Sequence, residues 1–210
     1  MKTPPPPNQV VYLVDDDEGL RSAMCRLLRA EGFETRAYAS AADFLMFRDE
    51  VLRGCIIIDV RMPGGPSGLE LHQSLLRKSE SLPVIFLTGH GSIPMSVQAI
   101  KSGAFDFLAK PTPRSILVAT VRAALDKESE AWAAGEKRRD LARRRASLTE
   151  TEHEVYQRVV AGLPNKLISM ELGSAERTVK AHRSSVMKKM GALSVADLVH
   201  MSDLLQEPAE

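Results

Sequence analysis

Short apolar runs alternate with longer amphipathic stretches through the first part of the chain. The apolar runs predict strands near residues 10–14, 35–38, 55–59, 83–87 and 106–109. The amphipathic stretches predict helices near residues 18–31, 40–52, 67–78, 93–102 and 114–134. Strands that alternate with helices are typical of a parallel sheet covered by helices on both faces. We therefore predict a doubly wound α/β fold with a five-stranded parallel sheet over residues 9–126.

The hydrophobic pattern changes beyond this region. Residues 127–147 are rich in charges and alanine and hold one internal glycine, Gly135, which predicts a helical linker. The linker includes the run Arg143-Arg144-Arg145, which either meets phosphates or, as the simpler interpretation, lies on a solvated face. From Leu148 the helical periodicity resumes in four short segments, so we predict an all-α domain of four helices over residues 148–206.

The composition excludes several classes of protein. With 210 residues and 44% hydrophobic content, the chain is long enough for two packed cores. The formal net charge of +1 gives no global attraction to nucleic acid or membrane, but basic residues concentrate locally in the stretch 166–189. No segment approaches the roughly 20 apolar residues that a membrane span needs, and residues 1–8 hold prolines without an apolar signal core. These features predict a soluble, cytoplasmic chain with no membrane partner and with disordered residues 1–8.

Acidic side chains follow two of the predicted strands. Asp15 and Asp16 come directly after the first strand, and Asp59 ends the third. In open parallel sheets ligands bind beyond the carboxyl ends of strands, where the strand order reverses. Gathered carboxylates repel one another, so they need a neutralising cation or a shared proton, and hard oxygen ligands suit Mg²⁺. The sequence therefore predicts an Mg²⁺ site formed by these three aspartates, with the backbone carbonyl of Arg61 as a further ligand.

Two more strand ends add a hydroxyl and an ammonium group. Thr88 follows the fourth predicted strand, and Lys110 follows the fifth. A carboxylate that accepts a phosphoryl group needs a metal, a cation and a hydroxyl around it, so we predict Asp59 as the phospho-acceptor. The alternative is that aspartates at strand ends only form turns or cap helices. We leave Asp17 and Glu18 out of the site, because they can lie in the first turn of the following helix and favour its dipole.

Four motifs lie in order along this part of the chain. They are Val14-Asp15-Asp16-Asp17, Ile58-Asp59-Val60-Arg61-Met62-Pro63, Leu87-Thr88-Gly89-His90-Gly91 and Ala109-Lys110-Pro111. Together they resemble the flavodoxin-like receiver domain of two-component response regulators of the NarL/FixJ type. The resemblance implies that a sensor histidine kinase phosphorylates Asp59, that Mg²⁺ is bound beside it, and that Thr88 and Lys110 contact the phosphoryl group.

The resemblance also implies a conformational switch and a homodimer. Phe107 occupies the aromatic switch position and is expected to turn inward when Thr88 moves, although an ordinary core aromatic is the alternative. The added phosphoryl charge would draw a hydroxyl and a lysine into new hydrogen bonds. The face near residues 93–109 is then expected to repack into a dimer surface. Its helix carries the apolar residues Pro94, Met95, Val97 and Ile100.

The last segments indicate a helix-turn-helix. The third of them, from about Glu176 to Met190, has an apolar stripe and an opposite basic face, which suits the major groove of DNA. Its motifs are Ala161-Gly162-Leu163-Pro164-Asn165-Lys166, Arg177-Thr178-Val179-Lys180-Ala181-His182-Arg183 and Met187-Lys188-Lys189-Met190. They resemble the LuxR-type DNA-binding domain over about residues 146–206. The resemblance implies phosphate contacts by Lys166, Thr178, His182 and Lys188. It places Lys180, Ala181 and Ser184 nearest the bases.

Some positions depart from these families or keep a second interpretation. The loop around Gly64-Gly65-Pro66 is one residue longer than the family pattern and has glycine where an acidic residue is common. Thr112-Pro113 follows the lysine motif where family members often have an aromatic or apolar residue. Before the basic helix, Ser174 occupies a slot that is usually apolar, so either it caps the helix one residue early or the turn is less well packed. His182 is equally well explained as a half-buried packing residue.

The sequence as a whole predicts a DNA-binding response regulator that is not an enzyme beyond self-phosphorylation and slow autodephosphorylation of Asp59. A second hypothesis is a Mg²⁺-dependent phosphohydrolase that uses Asp59 as a transient nucleophile, but no second general acid or base is evident beside it. A third hypothesis keeps the DNA-binding domain but makes the receiver a protein-interaction module that ignores phosphate.

Overall fold

The structure is a computed structural model that describes residues 9–78, 82–89 and 93–206, without the side chains of residues 93–95. The predicted disorder of residues 1–8 lies outside this description. The chain divides into two compact units between Ala131 and Trp132. This division falls inside the predicted linker, while the finer domain boundaries stay predictions.

The first unit is built on a parallel sheet of five strands in the order β2-β1-β3-β4-β5. The strands are β1 (Val10–Val14), β2 (Thr35–Tyr38), β3 (Gly54–Ile58), β4 (Val84–Thr88) and β5 (Asp106–Ala109). All residues of β1, β3 and β4 are buried, as their uninterrupted apolar runs require in a sheet covered on both faces. The strand order reverses between β1 and β3, so the carboxyl ends of these two strands form the edge where a ligand site is expected.

Helices cover both faces of the sheet, which confirms the predicted doubly wound fold. They are α1 (Glu18–Ala30), α2 (Ala41–Phe47), α3 (Gly68–Arg77), α4 (Ile93–Lys101) and α5 (Arg114–Ala146). Alternate residues of β1 belong to different cores, because successive strand side chains point to opposite faces. Tyr12 packs with Phe44 of α2 and Leu71 of α3, whereas Leu13 packs with residues of α1 and α5.

The helix predicted over residues 40–52 is shorter, because α2 ends at Phe47. The backbone of Arg48 is extended, and the chain then brings Asp49 back to the sheet. Asp49 accepts a hydrogen bond of 3.0 Å from the hydroxyl of Tyr12 and pairs with Arg36. Burial raises the pKa of Tyr12, and the bond to Asp49 raises it further. These contacts between distant parts of the chain end the helix early.

The second unit has a core of its own, formed where four further helices meet. These helices are α6 (Glu150–Val160), α7 (Asn165–Glu171), α8 (Glu176–Met190) and α9 (Val195–Gln206). Thr149 and Glu152 form a capping box that starts α6, as the sequence pattern Thr-x-x-Glu indicates. Val179, Val186 and Met190 of α8 are fully buried, so the predicted apolar stripe of this helix packs inward. The four-helix prediction is thus confirmed.

Candidate functional site

Three carboxylates meet at the edge of the sheet where the strand order reverses. Asp15 follows β1 and Asp59 follows β3, and the last residues of these strands, Val14 and Ile58, are paired. Oxygen atoms of Asp15, Asp16 and Asp59 all lie within 4.8 Å of one another. Asp15 is buried, Asp59 is partly buried and Asp16 is exposed, so the cluster opens to solvent on one side. The predicted acidic pocket is therefore present.

Lys110 joins two of these carboxylates. Its Nζ atom donates hydrogen bonds of 2.7 Å both to Asp15 Oδ2 and to Asp59 Oδ2. Its backbone N–H donates to the carbonyl of Thr88 at 2.8 Å, which holds the lysine beside the end of β4. Burial by itself lowers the pKa of Lys110, but the hydrogen bonds to the two aspartates outweigh it and raise the pKa above its usual value. The ammonium group thus stays charged and offsets part of the carboxylate repulsion.

Backbone amides fix the direction of the carboxylates. Asp15 Oδ1 accepts from the amide of Asp17 at 2.9 Å, and Asp59 Oδ1 accepts from the amide of Arg61 at 3.2 Å. Asp17 itself caps α1 by accepting from Leu20, so leaving it out of the pocket agrees with the structure. The predicted role of the Arg61 carbonyl as a metal ligand stays a prediction. The oxygen-only donor set of three carboxylates fits a hard divalent cation.

The remaining residues predicted for the pocket lie on β4 and β5. Thr88 is the last residue of β4, is 1% exposed, and pairs with Ala109 next to Lys110. Phe107 is partly buried and packs against the first core, with its ring centroid 6.3 Å from that of Phe86. That packing fits both a switch residue and an ordinary core aromatic. His90 and Gly91 of the third motif lie outside the described residues.

The positions that depart from the family pattern have local explanations. Gly64 has a φ of 86°, in the left-handed region that favours glycine, so the loop beside Asp59 needs this residue type where the family often has an acidic one. Thr112 replaces the usual apolar residue and donates its hydroxyl to the carbonyl of Ala109 at 2.5 Å. The hydroxyl therefore supports the turn that carries Lys110.

Sequence reasoning missed Gly68. It is the first residue of α3, and a Cβ atom built there would overlap the carbonyl oxygen of Asp59 and lie 2.7 Å from Cγ2 of Ile58. Its amide donates to the carbonyl of Val60 at 3.1 Å. The backbone of α3 thus lies directly against that of Asp59. The available signal was a glycine, a poor helix former, directly after the capping residue Ser67.

The predicted DNA-contacting residues lie mainly on α8. Most of them are exposed: Lys166, Thr178, Lys180, Ala181, Ser184 and Lys188. His182 is half-buried, so its packing role stays open as an alternative. Arg183, one of the basic residues of the stretch 166–189, donates to Asn165 Oδ1 at 2.8 Å and joins α8 to α7. The opposite face of α8 is buried, so its basic face is available to solvent.

The start of α8 decides between the two interpretations of Ser174. The N-cap is Ala175, which has no side-chain oxygen, so the interpretation of Ser174 as the cap is wrong. The Ser174 hydroxyl is buried and has no hydrogen-bond partner among the described residues. The start of α8 therefore lacks a side-chain cap, and a buried hydroxyl stands where the family usually has an apolar residue.

Comparison with protein families accounts for both units. Residues 11–122 match the response regulator receiver domain, and residues 146–202 match the luxR family of bacterial regulatory proteins. The chain belongs to the response regulators that combine these two domains. Both resemblances stated from the sequence motifs are confirmed. Among the described residues of this response regulator, no helix has the length and apolarity that crossing a membrane requires.

Full-length relatives share both domains. The transcriptional regulatory protein FixJ of Azorhizobium caulinodans is 41% identical over 197 residues, which cover 94% of this chain and 93% of FixJ. The response regulator protein TodT of Pseudomonas putida is 38% identical over 201 residues, which cover 96% of this chain and 88% of TodT. The solved structure of the response regulator StyR has a TM-score of 0.84 and 41% identity, covering 93% of this chain and 98% of StyR. The structure of full-length FixJ from B. japonicum has a TM-score of 0.56 and 36% identity, covering 94% and 97%.

Proposed function

We propose that this response regulator receives a phosphoryl group on Asp59 from a sensor histidine kinase and then controls transcription by binding DNA through α8. The observation that carries the proposal is the contact of Lys110 Nζ with both Asp15 and Asp59 beside a third carboxylate. That set supplies an acceptor oxygen, a cation and metal ligands in one place. Relatives named as transcriptional regulators support the second half of the proposal.

In the transfer step a carboxylate oxygen of Asp59 forms a bond to phosphorus while the P–N bond of the kinase's phosphohistidine breaks. The bonding electron pair stays on the imidazole nitrogen, which takes up a proton. Lys110 provides positive charge to the transferred oxygens, and its contact with Asp15 holds it in position. Asp15, Asp16 and Asp59, with the Arg61 carbonyl, would hold Mg²⁺, which when bound neutralises the oxygens of the acceptor and the phosphoryl group. We propose no further catalysis than self-phosphorylation and slow autodephosphorylation.

The signal would leave the pocket through β4 and β5. Thr88 ends β4 beside the pocket, and Phe107 lies on the neighbouring strand. On α4, Val97 is 46% exposed and Ile100 is 47% exposed, so this helix presents apolar atoms to solvent. We propose that phosphorylation brings two such faces together in a homodimer. A dimer would place two copies of α8 over two half-sites of double-stranded DNA in the cytoplasm.

The test treats the full chain with acetyl phosphate and Mg²⁺, measures its mass, and selects bound duplexes from random DNA. We expect the mass of one added phosphoryl group and an enriched, two-fold symmetric sequence.

Lys180→Ala should relax the preference at one base pair of each half-site and cost about 1–3 kcal/mol of binding free energy. Lys188→Ala should weaken binding to all sequences. It should also reduce the slope of log affinity against log salt concentration by about one. Absence of an enriched sequence from the phosphorylated protein would contradict the proposal.

Gly68→Ala is expected to slow phosphorylation of Asp59 by roughly tenfold to a hundredfold, because the new methyl group must displace the Asp59 backbone. Phosphoprotein formation from acetyl phosphate over time provides the measurement. Gly65→Ala is the matched control: it changes a glycine in the turn just before α3, yet a Cβ there meets no atom of the described residues within 4 Å. Equal rates in the two variants would show that the close approach of Gly68 has no influence on the acceptor.

A further inference from the structure

The end of α5 is joined to the end of α8 within the second unit. Arg144 Nη1 donates to the carbonyl of Met190 at 3.0 Å. In the other direction, Lys189 Nζ donates to the carbonyl of Ser147 at 3.2 Å and to Glu152 Oε2 at 2.5 Å. We call the contacts of Arg144 and Ser147 with Lys189 and Met190 the linker clamp. The clamp connects the helix that leaves the receiver with the helix proposed to read DNA.

The clamp provides hydrogen-bond donors to backbone carbonyls at the ends of α5 and α8, which have no partner within their own helix. The last carbonyls of a helix have no partner within the helix, and a cation there is favoured by the helix dipole. Gly191 ends α8 in the left-handed conformation, with a φ of 72°. A Cβ atom at Gly191 would overlap Arg144 Nη1, so the glycine also provides the space that the guanidinium occupies. Asp140 accepts from Arg144 Nε at 2.8 Å and orients the side chain along α5.

The neighbouring arginine of the run behaves differently. The Arg143 side chain is 67% exposed, and the contact that the described residues give it is a weak pair of 3.5 Å with Asp140. Arg143 thus fits the interpretation of the run as a solvated face, whereas Arg144, although its side chain is 43% exposed, also contacts the end of α8. Because both residues carry the same charge one position apart, Arg143 is a natural control for Arg144.

We infer that Arg144 is a positioning residue for DNA recognition, which fixes the C-terminal turn of α8 to the last turn of α5. A displacement of the end of α5 would then move the reading helix with it. The inference rests on the proposed binding of DNA by α8. Arg144 needs no contact with DNA to act in this way, and this separates the inference from the idea that the arginine run meets phosphates.

The test compares wild-type, Arg144→Ala and Arg143→Ala full-length proteins, each treated with beryllofluoride and Mg²⁺. Affinity is measured for the DNA sequence that wild type selects and for an unrelated duplex, at several salt concentrations. A misplaced helix loses base contacts but keeps its charges. We therefore expect Arg144→Ala to bind the selected sequence about fivefold to tenfold more weakly, with non-specific affinity and the salt slope changed no more than in Arg143→Ala.

Three other results would overturn the inference. A loss on both duplexes with a smaller salt slope would make Arg144 a phosphate contact. An equal loss on both duplexes with an unchanged slope, accompanied by a lower melting temperature, would make its role purely structural. Equal affinities of Arg144→Ala and Arg143→Ala for the selected sequence would give the clamp no role in recognition. If wild type itself selects no sequence, the proposed function fails instead, and the two failures are distinguishable.

Discussion

Asp59→Asn is expected to abolish phosphorylation and every response that depends on it. The substitution keeps the shape of the side chain but removes the nucleophilic carboxylate that contacts Lys110 Nζ at 2.7 Å. After treatment with acetyl phosphate and Mg²⁺, the mass of the variant should stay unchanged. Its oligomeric state should be the same with and without the phosphodonor. Its affinity for the selected DNA should likewise not change when the phosphodonor is added.

Asp17→Asn is the matched control for this experiment. Asp17 lies two residues beyond Asp15, is exposed, and caps α1, a role that asparagine fills equally well. The control should therefore be phosphorylated at nearly the wild-type rate. If the Asp59→Asn protein still gained DNA affinity on addition of the phosphodonor, the receiver would act without its central aspartate. The hypothesis of a protein-interaction module that ignores phosphate would then replace the proposed function.

The pocket could be located from the sequence because the sequence pattern indicates both which strands are buried and how they are arranged in the sheet. The bounds of β1, β2 and β5 agree with the predicted strands. For β1 the sequence marks both ends, since the polar residues Gln9 and Asp15 directly flank the apolar run. Alternation of strands and helices implies a parallel sheet, and parallel strands bring their carboxyl ends to one edge. The juxtaposition of Asp15 and Asp59 follows from that rule, although the hydrogen bonds that Lys110 makes to both do not.

What sequence reasoning missed depends on contacts between residues far apart in the chain. The end of α2 is set by the hydrogen bond between Asp49 and Tyr12, and no local sequence pattern predicts this contact. Gly68 must be small because the Asp59 backbone lies next to it, and Gly191, which its left-handed backbone already favours, also leaves the space that Arg144 occupies. Charge patterns likewise could not separate Arg144 from its neighbours, because only the fold decides which arginine reaches a helix end.

A buried ion pair at the start of β3 was also invisible in the sequence. Arg53 Nε donates to Glu128 Oε1 at 2.5 Å, and the side chains are only 7% and 6% exposed. Gln9 adds a hydrogen bond of 2.7 Å to Glu128 Oε2. Arg53 precedes β3 directly, and Glu128 lies on α5, so the pair fastens this helix to the sheet shortly before Ala131, where the first unit ends.

Glu128→Gln is expected to lower the free energy of unfolding of the receiver by about 3–5 kcal/mol, because it removes the negative charge that Glu128 places against the buried guanidinium of Arg53. Urea denaturation followed by circular dichroism measures the loss, and hydrogen exchange of the β3 amides assigns it to the receiver. Glu136→Gln is the control: Glu136 pairs with Arg139 on the same helix, but both side chains are about half exposed. Its effect should stay within about 0.5 kcal/mol.

The double variant Arg53→Met with Glu128→Leu separates the charge from the packing. Because the cost of Glu128→Gln comes from losing the Glu128 charge beside a buried guanidinium, removal of both charges should recover most of the lost stability or exceed the wild-type value. If Glu128→Gln lost less than about 1 kcal/mol, water would have to reach the guanidinium. If the double variant stayed as unstable as the single one, the hydrogen bonds of Glu128 with Gln9 and Arg53 would matter more than the neutralisation of charge.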